Sequence, residues 1–519
     1  MNELIYLLPI GVILATALIV VLLDLVLERK DRYVLPWVAL SGCVLGLFAA
    51  YQTYLTLSDQ LVPFLNYSMR PDIRTLKPLI LQGSFCLDGF GLWIWALACL
   101  AGALAVLASP PQPEESVLSS GEYYGLMLLA VSGMMLLGTA HDWLTLGLSL
   151  EIMSVATYIL AGSNKEDIRS NEAALKYLML GAFSTAFLLF GVAFYYGAFG
   201  SLSLTPNRAA LQLAGDEVPA RELLALLGLG LILVGALFKI GATPFHFWIP
   251  DVYEGAPTGI TGLMAVGVKA AAFAVVARLA FETFGSPVFR VEWLPLLLLA
   301  AVLTMVVGNV LAMRQSNLKR LLAYSGIAHS GYLLLAFLVM PHAGDGAAMG
   351  AHLKAVVFYL LVYGFMTLGA FGVVGLTRDD GRPMETMDDY AGLAKEHPGL
   401  ALCMAVFMLS LAGLPPTGGF LAKFLVFRGA IEQGIIEQHQ GSVAIIAAAV
   451  VGILTSVASL YYYLRVIVMM YMSPANATNA PEGAPAARCR YAWAANVLIY
   501  AAALATLLSG VLPGWFYGP

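Results

Sequence analysis

Three lysines lie where a charge is least stable. Lys239 in "LILVGALFKIGATPFHFWIP", Lys269 in "GITGLMAVGVKAAAF" and Lys423 in "SLAGLPPTGGFLAKF" sit well inside long apolar runs. Lys176 and Lys354 fall in the second turn of similar runs, and Glu151 in "LTLGLSLEIMSVATYIL" is the one acid near the middle of a run. A charge at the centre of a bilayer costs about 2.5–3.5 kcal/mol even on lenient insertion scales. Three deep lysines together cost on the order of 10 kcal/mol, as much as a typical domain's whole stability. Such residues face a bundle interior or hydrated cavity and mark ion or proton paths. Burial disfavours the charged form of a lysine, and a nearby carboxylate restores it. A lysine whose carboxylate partner changes distance therefore takes up and releases a proton. The alternative is a set of buried ion pairs that only fix packing, but one glutamate cannot neutralise several lysines.

The elements that must hold these groups are hydrophobic helices. The 519 residues are 60% hydrophobic and 11% charged, against roughly 25% charged in soluble proteins. Runs of about 20 apolar residues, enough to cross roughly 30 Å of hydrocarbon, recur from end to end. Fourteen helices are predicted, near 4–27, 34–56, 84–109, 122–139, 142–162, 171–199, 222–249, 257–281, 292–313, 317–340, 350–376, 399–432, 441–473 and 489–512. The fold class is an all-α polytopic membrane protein. Met1-Asn2-Glu3 supplies no basic segment of a cleavable signal, and the first run is long enough to span.

Loops after odd-numbered helices hold thirteen basic residues: Arg29, Lys30, Arg32, Lys165, Arg169, Arg314, Lys319, Arg320, Arg378, Arg382, Lys395, Arg488 and Arg490. Loops after even-numbered helices hold six: Arg70, Arg74, Lys77, Arg208, Arg221 and Arg290. The positive-inside rule puts the odd loops in the cytoplasm and both termini outside. Arg278, Arg428 and Arg465 lie near helix ends, from which an arginine reaches the interface.

Two of the predicted helices carry breakers. The seventh has Gly241, Pro244 and His246 just after Lys239, and the twelfth has Pro415, Pro416, Gly418 and Gly419 before Lys423. Proline removes a backbone donor, and glycine leaves helical geometry at low cost. Paired interrupted segments are the sequence pointer to inverted repeats. Their spacing is five helices, and other features recur with it: Lys176 and Lys354 open the sixth and eleventh, and Glu151 in the fifth has His329 as its counterpart in the tenth. Two inverted halves are expected, 122–281 and 292–473, after a three-helix segment 1–121 and before a C-terminal helix in 489–519. His246 and His329 are either relay groups or packing histidines. The five scattered cysteines form no CxxC pair, and neither GxGxxG nor GxxxxGK[ST] occurs, so no metal, dinucleotide or phosphate site is indicated.

"FKIGATPFHFWIPDVYEGAPT", "NLKRLLAYSGIAHSGY" and "LAGLPPTGGFLAKF" together resemble the proton-pumping membrane-arm subunits of NADH–quinone oxidoreductase (respiratory complex I), of the subunit N (subunit 2) type. The resemblance implies fourteen helices with two inverted five-helix repeats, in a bacterial cytoplasmic membrane, with the related thylakoid complex as the alternative. It implies a relay of Glu151, Lys239, Lys269 and Lys423, in which Glu151 modulates Lys239 and Lys269 passes the proton towards Lys423. It further implies that other membrane-arm subunits are the partners. NADH, flavin, iron–sulfur clusters and quinone would belong to other subunits, with no cofactor on this chain. A subunit of a multisubunit cation/proton antiporter is the nearest rival, and a purely structural membrane spacer is the other.

Overall fold

The computed structural model describes residues 3–57, 79–109, 121–204, 218–283, 287–338, 346–379, 382–436, 442–474 and 492–514. Arg70, Arg74, Lys77, Arg208, Arg488 and Arg490, on which part of the orientation argument rests, lie outside them, as does most of the 474–488 linker. The helices are α1 (Leu8–Val26), α2 (Leu35–Leu57), α3 (Gly89–Leu107), α4 (Gly121–Thr139), α5 (Trp143–Ala161), α6 (Ile168–Phe199), α7 (Val218–Ile240), α8 (Trp248–Gly255) and α9 (Thr258–Leu263). A π-helical turn (Met264–Val268) leads into α10 (Lys269–Arg278). Next come α11 (Pro287–Ala312), α12 (Leu318–Leu338), α13 (Gly346–Leu376), α14 (Leu393–Glu396), α15 (Pro398–Ala412), α16 (Gly418–Ile436), α17 (Ser442–Met472) and α18 (Ala492–Val511).

Eleven spans among the described residues are long and apolar enough to cross a bilayer. Helices are the economical answer to lipid because they satisfy their own backbone. Their starts are set by polar side chains: Asp88 caps α3 through Gly91 N at 2.7 Å, and Asp142 caps α5 through Thr145 N at 2.8 Å. The third predicted helix was expected from 84 but begins at Gly89. Residues before it form a two-stranded hairpin, β1 (Leu79–Ile80) with β2 (Phe85–Cys86), whose turn has positive φ at Leu81, Gln82 and Gly83. A second hairpin, β3 (Arg378–Asp379) with β4 (Arg382–Pro383), follows α13.

The stretch Thr258–Arg278 is wholly buried and α13 nearly so, which makes them the core of the bundle. By contrast α1, α2, α6 and α17 present large apolar side chains outward, among them Leu18, Phe48, Phe183 and Leu454. Arg278 was expected to reach the interface, but it is buried. Its guanidinium pairs with Asp88 at 3.2 Å and donates to Gly138 O at 2.8 Å, tying α10 to the starts and ends of α3 and α4. The half-buried Asp88 carboxylate and two bonds to the Gly138 carbonyl hold it inside rather than at the interface.

Both anticipated helix breaks are present. Gly241 (φ 71) ends α7 and Gly413 (φ 84) ends α15, and in each the third residue onward is the proline of a cis peptide bond, Pro244 and Pro416. The helix pairs α4–α5 and α11–α12 also match in detail. A methyl group on Gly133 would lie 2.6 Å from Met153 N, and one on Gly308 would lie 2.6 Å from Ala328 N. Asp142 caps α5, and Asn317 caps α12 through Arg320 N at 3.1 Å, at the same distance along the chain from each glycine. This register sets Gly326, not His329, level with Glu151.

These two glycines admit nothing larger. Gly133→Val and Gly308→Val should each destabilise the protein by about 1–3 kcal/mol, read as a lowered melting temperature in detergent. Gly197→Ala, with open space around it, should leave that temperature unchanged.

Candidate functional site

The three deep lysines are all almost fully buried, at 4%, 3% and 4% exposure for Lys239, Lys269 and Lys423. An ammonium carries three donors and no acceptor, so the question at each is which oxygens receive them. At Lys239, in the last turn of α7, Nζ donates to Ser154 Oγ at 2.8 Å and Tyr158 Oη at 3.0 Å on α5. The rings of Tyr158, Tyr177 and Phe238 lie 5.2, 5.7 and 5.8 Å from it, within cation–π range. Glu151 is on the same face of α5 as Ser154 and Tyr158, at helical spacing, but the ammonium bonds the hydroxyls rather than the carboxylate. Glu151 is half-buried, between the exposed Leu148 and Val155.

The break beyond Lys239 frees carbonyls from the helix ladder, and other donors take them up. Gly241 N and Ala242 N turn back to Phe238 O and Leu237 O. Trp248 Nε1 also donates to Phe238 O at 3.2 Å, and Ser330 Oγ donates to Ile240 O at 2.7 Å. The freed Thr243 N–H donates to Thr304 Oγ1 at 2.8 Å. His246 is half-buried, and its Nδ1 lies 3.4 Å from Thr243 Oγ1, at the long end of hydrogen bonding.

Lys269 follows the π turn, a feature that often accompanies functional positions. Its Nζ donates to Gly326 O on α12 at 2.6 Å and lies 3.4 Å from Tyr363 Oη on α13. Ser330 Oγ lies 3.1 Å from Gly326 O as well, so its single hydrogen is shared between that carbonyl and the nearer Ile240 O. Ser330 therefore links the carbonyl that holds Lys269 to the end of the helix that carries Lys239.

Lys423, on α16, is the best satisfied. Its Nζ donates to Leu411 O at 2.8 Å, Ala412 O at 3.1 Å and Ser456 Oγ at 2.9 Å, above the Tyr332 ring at 5.3 Å. Leu411 and Ala412 end α15, so the ammonium sits at the negative end of a half-helix. Between Lys269 and Lys423 runs a buried hydroxyl and imidazole network. His329 Nδ1 is 2.7 Å from Tyr359 Oη and Nε2 is 3.5 Å from Tyr463 Oη, and Tyr463 meets Ser325 at 2.5 Å.

Two other candidates sit elsewhere. Lys176 is partly exposed and pairs with Glu172 and Asp251, each at 2.6 Å. Lys354 is half-buried on α13. Asp251 and Glu254 of α8 also receive Arg320 at 2.8 and 2.7 Å, while Lys319, counted above as a loop cation, is buried and donates to Glu254 O, Ala256 O and Glu385. The sequence reading missed this cluster, and missed Ser154, Ser330, Tyr363 and Ser456. Only Ser154 and Tyr158 were within its reach, through their spacing from Glu151. The others are brought in by helices remote in sequence.

Buried cations held on polar faces around two broken helices, within a bundle of membrane-crossing helices, define an antiporter-like membrane carrier. The chain matches the family described as "NADH:quinone oxidoreductase/Mrp antiporter, TM" over residues 140–454. It is 42% identical over 453 residues to NADH-quinone oxidoreductase subunit N of Trichlorobacter lovleyi, covering 87% of this chain and 84% of that protein. To subunit N 1 of Koribacter versatilis it is 37% identical over 511 residues, covering 98% and 93%. Among solved structures, a chain of respiratory complex I from Thermus thermophilus matches with TM-score 0.73 and 33% identity, covering 98% of both chains. A chain of the Mrp complex from Dietzia sp. shares the fold, with TM-score 0.76 at 21% identity, covering 100% of this chain and 96% of that one. The protein belongs to the NADH-quinone oxidoreductase subunit N family, and it is a multi-pass membrane protein.

A methyl group on Gly326 would lie 2.9 Å from Tyr363 Oη and 3.0 Å from Lys269 Nζ, so the ends of these two side chains must give way. Gly326→Ala should therefore push the Lys269 ammonium off its carbonyl. The expected result is a lower melting temperature, by about 1–3 kcal/mol of stability, together with slower proton translocation in the assembled complex.

Proposed function

We propose that this chain moves protons across the membrane as an antiporter-like subunit of the membrane arm of NADH–quinone oxidoreductase. The energy comes from quinone reduction elsewhere in that complex. Other membrane-arm subunits are its partners, and NADH, flavin, iron–sulfur clusters and quinone are held by other chains. The single observation that carries the reading is the set of three buried ammoniums, each held by hydroxyls, carbonyls or rings, in a bundle of the matching family.

In this reading fourteen helices cross the membrane, with α7–α8, α9–α10 and α15–α16 each counted as one crossing and the four-residue α14 not counted. Residues 122–281 and 292–473 form two inverted repeats, preceded by 1–121 and followed by 489–519. The matched breaks, caps and glycine contacts support it. Glu151 biases Lys239 through the Ser154 and Tyr158 hydroxyls. Protons pass from Lys239 to Lys269, whose carbonyl partner Gly326 O is shared with Ser330, and then along the His329 and tyrosine network to Lys423. Lys176 and Lys354 lie at the ends of this path, and His246 borders the first break. The membrane is the bacterial cytoplasmic one, with both termini outside.

Lysine can hand its proton on, whereas guanidinium keeps it at every accessible pH. Lys239→Ala and Lys423→Ala should each lower proton translocation at least tenfold in assembled complexes reconstituted into liposomes. Lys423→Arg should do the same while the complex still assembles. Full pumping in both alanine variants would leave only the structural-spacer reading. The rival cation/proton antiporter is tested by affinity purification of the native assembly. Co-purifying flavin and iron–sulfur absorbance is expected, and an assembly without redox centres would overturn the complex I assignment.

A further inference from the structure

The surroundings of Lys423 hold more information than a proton relay needs. Its ammonium meets two backbone carbonyls and one hydroxyl at 2.8, 3.1 and 2.9 Å, and no carboxylate contacts it among the described residues. Unwound carbonyls at a half-helix C-terminus are how membrane carriers coordinate monovalent cations. Gly413 makes room for the lysine stem, because a methyl group there would lie 2.9 Å from Lys423 Cδ. The Tyr332 ring closes one side of the ammonium, a face that suits any desolvated cation. The first half contrasts with this. The tenth residue after the left-handed Gly413 is Lys423, whereas the tenth after the left-handed Gly241 is Asp251. There Ile240 O, the counterpart of Ala412 O, is taken by the neutral donor Ser330, and Phe238 O, one residue before the counterpart of Leu411, by Gly241 N and Trp248. Asp251 turns instead to Lys176 and Arg320. The oxygen cage is therefore particular to the second break.

We propose that Leu411 O, Ala412 O, Ser456 Oγ and the Tyr332 face form a monovalent-cation site in which the Lys423 ammonium is a tethered occupant, so that Lys423 restricts this half of the chain to protons by excluding free cations. The site stands on its geometry, and only its consequence for transport rests on the relay reading. Without the side chain, the cage takes an ammonium-sized cation, with water in the space of the stem completing its shell. Of such cations only ammonium itself carries a proton to hand on.

The test uses the complete complex carrying Lys423→Ala, with Lys423→Met as the variant that keeps the stem volume filled. Melting temperatures are compared in ammonium chloride, potassium chloride and choline chloride at equal ionic strength, choline being too large for the cage. A saturable rise of about 2–4 °C with ammonium or potassium over choline is expected for Lys423→Ala, and none for the wild type or Lys423→Met. Ser456→Ala combined with Lys423→Ala should weaken that rise. Equal melting in all three salts for a Lys423→Ala complex that assembles overturns the cage. If the Lys423→Ala complex does not assemble on its own, methylammonium is supplied during its assembly, where recovery over choline is expected and no recovery overturns the cage. Membrane potential generation separates the two ideas. Cation-dependent melting with undiminished pumping in Lys423→Ala would sink the relay role and keep the cage, whereas lost pumping with cation-independent melting would do the reverse.

Discussion

An ammonium out of water needs its three protons received, and the fold is arranged around meeting that need three times. Acids do not do it. Lys239 is met by hydroxyls and rings on α5 and α6, Lys269 by a glycine carbonyl and a tyrosine, Lys423 by a helix end and a serine. Neutral oxygens stabilise the charged form without fixing it as strongly as a carboxylate would. In the proposed relay, a cation so held is the one that gives up its proton.

The broken helices follow from the same need. A continuous helix uses its carbonyls in its own ladder, so that Gly326 O on the unbroken α12 accepts from Lys269 only as a second bond, whereas an interruption offers backbone oxygen that is not already bonded. At the second break that oxygen goes to Lys423. At the first it goes to Trp248 and Ser330, and Ser330 in turn shares the Gly326 carbonyl with Lys269. One backbone device thus serves a direct contact in one half and a link between two lysines in the other.

The ends of the bundle are held by conventional ion pairs. Asp251, Glu254 and Glu385 bind Lys176, Arg169, Lys319 and Arg320, joining α6, α8 and α12 to the segment after β4. Asp88 with Arg278 joins α3 to α10. Among the described residues, these ion pairs fix the frame at the helix ends, while no carboxylate bonds the three deep lysines.

Much of this was written in the sequence. Apolar length fixes membrane-spanning helices, because lipid leaves the backbone few alternatives. Gly241, Pro244, Gly413 and Pro416 fix where two helices break, because their restrictions are local. The depth of Lys239, Lys269 and Lys423 in apolar runs marks them without any knowledge of the fold. What receives those lysines could not be read. Gly326 O, Tyr363 and Ser330 come from helices far along the chain, and a backbone carbonyl leaves no signature in residue type. Arg278 seemed free to reach water, and Lys319 seemed a loop cation, until packing enclosed both. Glu151 seemed to have His329 as its counterpart, until the close approach of Gly133 to Met153 and of Gly308 to Ala328 set its level at Gly326. Residue type determined which groups could carry a charge, and only helix register and packing decided which oxygens they would meet.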